Sequence, residues 1–185
     1  MKQVYIQEAN IISPLGFDFE SNWQNLLSNK SGIRKVEQLG HFKDFYAAQI
    51  DCNLIDNELN KQFLNCESSR IEKLASLALM PLSKNRLNEN TLLIVSTTKA
   101  DIQGLNSQVS DAFITTLADQ IKSKFCFKTR PIIVSNACTS GILAVNLAKR
   151  MLQMNHAENA FIIAVDELTE FVVSGFNSFQ AMSDE

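Results

Sequence analysis

From Pro131 to Val165 the chain passes from strand to helix and back to strand with no room for a tight turn. Pro131 to Asn136 is a short apolar strand, Thr139 to Met154 a helix with apolar residues on nearly every side, and Phe161 to Val165 a second strand. Apolar strands alternating with helices specify an α/β domain, with a mainly parallel, mixed sheet covered by helices on both faces. The helix pattern predicts a buried helix, because apolar side chains around the whole circumference need cover on every side.

The junction between that first strand and its helix is Ser135-Asn136-Ala137-Cys138-Thr139-Ser140-Gly141. A thiol at a strand-to-helix turn lies near a helix N-terminus, whose unsatisfied N–H groups and positive dipole end favour thiolate over thiol. Ala137, Ser140 and Gly141 leave room beside the sulfur for a substrate. Cys138 is therefore the candidate nucleophile. The competing reading is a buried structural cysteine, since free Cys is among the most buried residue types.

Elsewhere the alternation is less clean. Val4 to Ala9 is expected to be a strand, Ser13-Pro14-Leu15-Gly16 a turn, and Phe19 to Ser28 a helix. Residues 32–65 are ambiguous, with an extended piece at Phe45 to Ile50. Ser69 and Glu72 form a capping-box pattern, followed by a one-face stripe of Ile71, Leu74, Ala75, Ala78, Leu79 and Leu82 that Pro81 interrupts. Thr91 to Ser96 is a continuous apolar strand. Ser110 to Phe125 is expected to be a helix with Phe113, Leu117 and Ile121 inward.

Composition mainly excludes. A net charge of −3 argues against nucleic acid as principal partner. No apolar run approaches the roughly 20 residues of a membrane helix, and the first residues lack a signal-peptide core, so a cytoplasmic location is expected. Cys52, Cys66, Cys126 and Cys138 form no C-x-x-C pair, so no metal or redox site is expected and the thiols should be reduced. The clusters Lys122, Lys124, Lys128, Arg130 and Arg70, Lys73, Lys84, Arg86 read as solvated charged faces. The glycines form no phosphate-binding G-x-G-x-x-G or P-loop, so a doubly wound nucleotide-binding domain lacks its phosphate cradle.

Three blocks in order, ISPLGFDFESNWQNLLSNKSGI at Ile12 to Ile33, SNACTSGILAVNL at Ser135 to Leu147 and VDELTEFVVSGFNSFQAMS at Val165 to Ser183, resemble β-ketoacyl synthases. These are condensing enzymes of fatty-acid and polyketide synthesis. The Val95 to Ile102 run VSTTKADI is similar to condensing enzymes tied to aryl-polyene or resorcinol pigments. The resemblance implies that residues 1–185 are the N-terminal half of a thiolase-like fold, which has two similar halves. It places Cys138 at the nucleophile position, taking an acyl group from the phosphopantetheine of acyl carrier protein, with no dissociable cofactor.

By this resemblance the family's second half supplies two histidines and a lysine to catalysis, in a region where motifs of the HGT and GHT kind occur. This sequence has neither motif, and its only histidines, His41 and His156, read as lone surface residues. Condensation by this chain alone is therefore not expected. Thr97, Phe113, Phe176 and Phe179 are candidate substrate-binding residues, and Arg70 and Lys73 candidates for docking the carrier protein. A homodimer, or pairing with a C-terminal half, is expected to cover the Pro131 to Met154 region. The alternatives are a non-catalytic partner of chain-length-factor type, against which the retained Cys138 counts, and a starter-unit transferase.

Overall fold

Residues 91–96 are buried at every position, and the rest of their unit is layered on both faces of that strand. The computed structural model describes residues 2–62, 68–84, 86–103 and 113–183. Along the chain run α1 (Phe19–Leu27), β1 (Ile33–Leu39), β2 (Phe42–Ala48), α2 (Cys52–Lys61), α3 (Arg70–Ser83), β3 (Thr91–Ser96), α4 (Ile114–Phe125), β4 (Ile132–Val134), α5 (Ser140–Gln153), β5 (Asn159–Ala164) and α6 (Glu170–Ser178). They divide into two units, Met1–Ala9 with Glu67–Asp166 and Asn10–Cys66 with Glu167–Glu185.

The first unit is a parallel sheet in the order β4-β3-β5. Side chains alternate across it with the strand period of two. Leu93, Val95 and Ile163 join Ile71, Ala75, Leu79, Leu117 and Ile121 of α3 and α4 on one face. Leu92 and Ile94 meet Ala144 and Ala148 of α5 on the other. The chain steps from β3 outward to β4 and then back past β3 to β5, so crossovers of one hand place α4 and α5 on opposite faces. The antiparallel component is separate: β1 and β2 form a hairpin in the second unit.

Several expectations change. Val4 to Ala9 makes no ladder, and Tyr5 and Ile6 are exposed, because a strand exists only where another backbone pairs with it. The fully wrapped helix is α3, with buried residues around most of its circumference, whereas α5 buries only Ser140, Ala144 and Ala148. Ile142 is 75% exposed and Val145 44%, so α5 keeps an uncovered apolar face. Ser69 is the α3 N-cap but its side chain makes no capping bond, and Glu72 instead lies 3.8 Å from Lys124 of α4. Both charges of that pair are largely shielded from solvent, so Lys124 does not belong to a solvated face. Arg86 is likewise engaged, making a two-pronged pair with Glu8 at 2.6 and 2.9 Å. Leu117 and Ile121 face inward as expected, whereas Phe113 caps α4 with 56% exposure. The expected start of that helix at Ser110 lies outside the described residues.

In the second unit the Ser13–Gly16 turn closes with reciprocal backbone bonds of 2.9 and 3.0 Å and packs on α1 through Asn22. Asn22 is buried; its Nδ2 lies 3.0 Å from the Ile11 and Gly16 carbonyls and 2.7 Å from that of Asp18, and its Oδ1 accepts from the Ser13 hydroxyl. A Cβ on Gly16 would stand 2.5 Å from Ser21 Cβ, so the close approach requires glycine. Asp18 caps α1 by accepting from the Ser21 N–H at 2.6 Å, and this backbone bond, followed by one from the Ser21 hydroxyl, holds its carboxyl below the usual range. The stabilisation is present above about pH 3.9, the unfolded value, and is lost as pH falls through the lower folded value.

The β1–β2 hairpin and α2 occupy the segment that the residue pattern left open. Gly40, at φ +60, begins a two-residue loop, Gly40-His41, where the twist of the strands favours a positive φ. The Glu170 carboxylate of α6 fills the space beside Gly40 and binds both the N–H and the ring of His41. The His41 ring bond, then the N–H bond, lowers the Glu170 carboxyl from its ordinary value. His41 is thus a solvent-exposed tie within this unit and not a lone surface side chain.

Candidate active site

The site follows from topology. Because all three strands of the first unit are parallel, their carboxyl ends share one edge: Ser96 is in register with Val134 of β4 and Ala164 of β5. The chain leaves β3 toward α4 on one face and β4 toward α5 on the other, so the carboxyl ends of β3 and β4 form a topological switch point, the position where open α/β sheets bind ligands. Thr97 follows β3, and the Cys138 elbow follows β4.

Ala137 takes φ +45, a conformation that an L-residue keeps only when its surroundings impose it. The bonds that impose it are short and local. The Asn136 N–H donates to Ser140 Oγ at 2.7 Å, and that hydroxyl donates to the Ala137 carbonyl at 2.7 Å. The Asn136 carbonyl accepts from the Thr139 N–H at 3.1 Å and the Thr139 hydroxyl at 2.9 Å. Residues Ala137–Thr139 form one 3₁₀ turn, and α5 starts at Ser140. Ser140 is buried, while Cys138 on the same turn is exposed. No acceptor among the described residues is bonded to the Cys138 N–H.

Beyond the carboxyl ends of β3 and β5 lies a polar knot. Thr97 is 1% exposed; its hydroxyl donates to Asp166 Oδ1 at 3.0 Å and accepts from the Ala100 N–H at 3.0 Å. Asp166 also accepts from the Thr98 N–H at 3.0 Å and the Thr98 hydroxyl at 2.8 Å, and Lys99 Nζ donates to that same hydroxyl. Thr97 is placed at the predicted edge, with its hydroxyl committed to protein partners. Asp166 was not singled out from the sequence; its signal was position, two residues past the end of an apolar strand that pairs with β3.

Arg70 and Lys73 lie half-buried on the first turns of α3. Phe176 and Phe179 belong to the second unit, at the end of α6, with 51% and 84% exposure. That unit also holds a cleft of about 220 Å³ between β2 and α6, lined by residues such as Phe42, Tyr46, Val173 and Asn177 and by none of the candidates. His156 follows α5, exposed, with its N–H bonded to the Met151 carbonyl at 3.0 Å.

Access does not single out Cys138, because Cys52 and Cys126 are also exposed and reduced; Cys66 lies outside the described residues. Position does. Cys138 precedes the N-terminus of α5, Cys126 follows the C-terminus of α4, and Cys52, although itself the first residue of α2, adjoins the carboxylate of its N-cap Asp51. The field of a helix N-terminus favours an attacking anion, and a carboxylate or a helix C-terminus opposes it. Limiting iodoacetamide near neutral pH is therefore expected to label Cys138 first and Cys126 last of these three. Peptide mapping that finds them equally labelled would remove the case for an activated sulfur.

No protein-family model matches the sequence, and no curated protein matches it. Solved structures do. A ketosynthase, ApeO, in complex with its chain length factor, ApeC, from Xenorhabdus doucetiae superposes with a TM-score of 0.77 over 98% of this chain, at 17% identity. The chain has the fold of half a ketosynthase. The ishigamide ketosynthase/chain length factor gives a TM-score of 0.71 over 93% of this chain at 14% identity, and a β-ketoacyl synthase from Burkholderia phymatum gives 0.71 over 99% at 18%. The chain spans 51%, 54% and 51% of these three structures. The ketosynthase-half fold is thus shared while few side chains are. No helix among the described residues is long and apolar enough to cross a membrane.

Proposed function

We propose that this chain is the N-terminal part of a β-ketoacyl-[acyl carrier protein] synthase and that Cys138 accepts the acyl group in fatty-acid or polyketide synthesis. The observation that carries the reading is the exposed Cys138 on an elbow that holds Ala137 at a positive φ, where β4 ends beside β3. The sulfur attacks the thioester carbonyl of an acyl chain on the phosphopantetheine of acyl carrier protein; a new C–S bond forms, the old one breaks, and the pantetheine thiolate leaves and takes up a proton. The Cys138 N–H, with no acceptor among the described residues, is the donor proposed for the developing oxyanion. Arg70 and Lys73 are proposed contacts for the carrier protein. Incubation with acyl-carrier protein is expected to add one acyl mass to the intact chain, with none on Cys138→Ala; acylation that survives Cys138→Ala would overturn the assignment.

A second reading, a non-catalytic partner of chain-length-factor type, is favoured by neighbours solved as ketosynthase and chain-length-factor pairs. Absence of acyl transfer to Cys138 would favour it.

Both readings call for a companion surface. The uncovered side of α5, with Ile142, Leu143 and Val145, is the proposed contact for a second thiolase-like subunit, another copy or a C-terminal half. Sedimentation over a concentration series is expected to show self-association that Ile142→Glu weakens at least tenfold. A strictly monomeric, folded chain throughout would remove the copy-to-copy contact.

A further inference from the structure

We propose that Asp166 is a positioning residue for the Cys138 elbow, acting through Thr97 and the carboxyl end of β4. The inference rests on the reading of Cys138 as the reacting group, but its geometry stands apart from that reading. Asp166 follows β5 at one edge of the sheet, Cys138 follows β4 at the other, and β3 lies between them.

A continuous set of bonds crosses that gap. The Asp166 carboxylate takes three donors from the two residues that follow β3, the Thr97 hydroxyl and the N–H and hydroxyl of Thr98. Thr97 in turn donates its backbone N–H to the Val134 carbonyl at 3.3 Å, the last ladder bond before the elbow, while the Val165 N–H holds the Ser96 carbonyl at 2.9 Å. Two residues beyond Val134, Asn136 supplies both the N–H and the carbonyl that close the elbow on Ser140 and Thr139. Asp166 thus pins the outer end of a chain of bonds whose inner end is the turn carrying Cys138.

The chemistry explains why a carboxylate stands there. An ionised carboxylate is an acceptor only, with two oxygens able to hold several donors at once, and bonds to it are about twice as strong as neutral ones. Among the described residues Asp166 is the acceptor of the Thr97 hydroxyl proton, the same oxygen receives the Ala100 N–H, and Ala100 is itself held at φ +48. Without Asp166 a buried hydroxyl and a strained backbone both lose their anchor, and the end of β3 is free to shift against β4. The elbow, which keeps Ala137 at a positive φ, needs its supports fixed more than an ordinary turn does.

Hydrogen exchange on the full chain tests this directly. In Asp166→Ala the Thr139 and Ser140 amides are expected to exchange at least tenfold faster, while amides in the middle of α4 stay at their original rates. Asp166→Asn keeps an acceptor for Thr97 and is expected to restore most of the protection. In the same variants the Cys138 alkylation rate relative to Cys126, followed against pH, is expected to fall with Ala and recover with Asn. Unchanged elbow exchange in Asp166→Ala would overturn the proposal, and so would equal acceleration in α4, which would mark Asp166 as a support for the whole unit. The exchange result holds whether or not the chain accepts an acyl group, so failure of the proposed function and failure of this inference are read separately.

Discussion

Incubated with malonyl-carrier protein, the 185-residue chain is expected to release no carbon dioxide above background, even where Cys138 accepts an acyl group. Decarboxylation needs a donor beside the developing enolate; general acid–base help contributes about 10²- to 10⁴-fold, and one well-placed electrostatic donor about 10²- to 10³-fold. Neither histidine serves. His156 lies beyond the far end of α5, about 20 Å from the elbow for a helix of that length. His41 belongs to the hairpin unit, where Glu170 engages its ring. Trapping labelled carbon dioxide from malonyl-carrier protein checks the expectation. Release that disappears in Cys138→Ala would falsify it and would require an acid–base pair drawn from other side chains.

Replacing Asn22 by alanine is expected to cost about 2–3 kcal/mol, far more than a typical surface change in the same helix. One side chain there serves the carbonyls of Ile11, Gly16 and Asp18 and the Ser13 hydroxyl, and no neighbour can take over all of them. Truncation removes all of these half-buried bonds at once; the Gly16 and Asp18 carbonyls keep the backbone N–H groups of Ser13 and Asn22, while the bond to the Ile11 carbonyl and the acceptor of the Ser13 hydroxyl are lost. Trp23, the only tryptophan, adjoins Asn22 in α1, so its fluorescence during urea unfolding reports on this region. Gln24→Ala, an exposed change one turn-position away, is the control and should leave the midpoint within error. Equal midpoints for the two variants would show that solvent replaces the Asn22 bonds at no cost.

What could be read from the residues is local. The β4-elbow-α5-β5 run was legible because three apolar segments sit close together with small residues at one junction, and chain geometry then permits only a parallel arrangement. The full burial of β3 was legible for a similar reason, since six apolar or small residues without alternation need cover on both faces. The hairpin was not recovered, although Gly40 between two short runs was its available signal, because Ile33–Leu39 and Phe42–Ala48 carry charges that break the apolar alternation.

Other features depend on partners distant in sequence, and no local pattern contains them. Val4 to Ala9 has strand-forming residues, but ladder formation belongs to a pair of backbones and not to one segment. Glu72 matches a capping box, yet Lys124, 52 positions away, lies opposite its carboxylate. Which helix is wrapped and which keeps a bare apolar face was reversed between α3 and α5, since periodicity records what a helix can bury and only packing supplies the cover. Asp166 acquires its role in the same way. By itself it is an acid after a strand; the order β4-β3-β5 brings Thr97 and Thr98 to it, and Thr97 is bonded in turn to Val134 at the end of β4. The sequence alone determined the Cys138 turn, because a turn is made by neighbours along the chain. The tertiary structure decided what the end of β4 below that turn is bonded to, because the Thr97–Val134 and Thr97–Asp166 bonds join residues that only the sheet brings together.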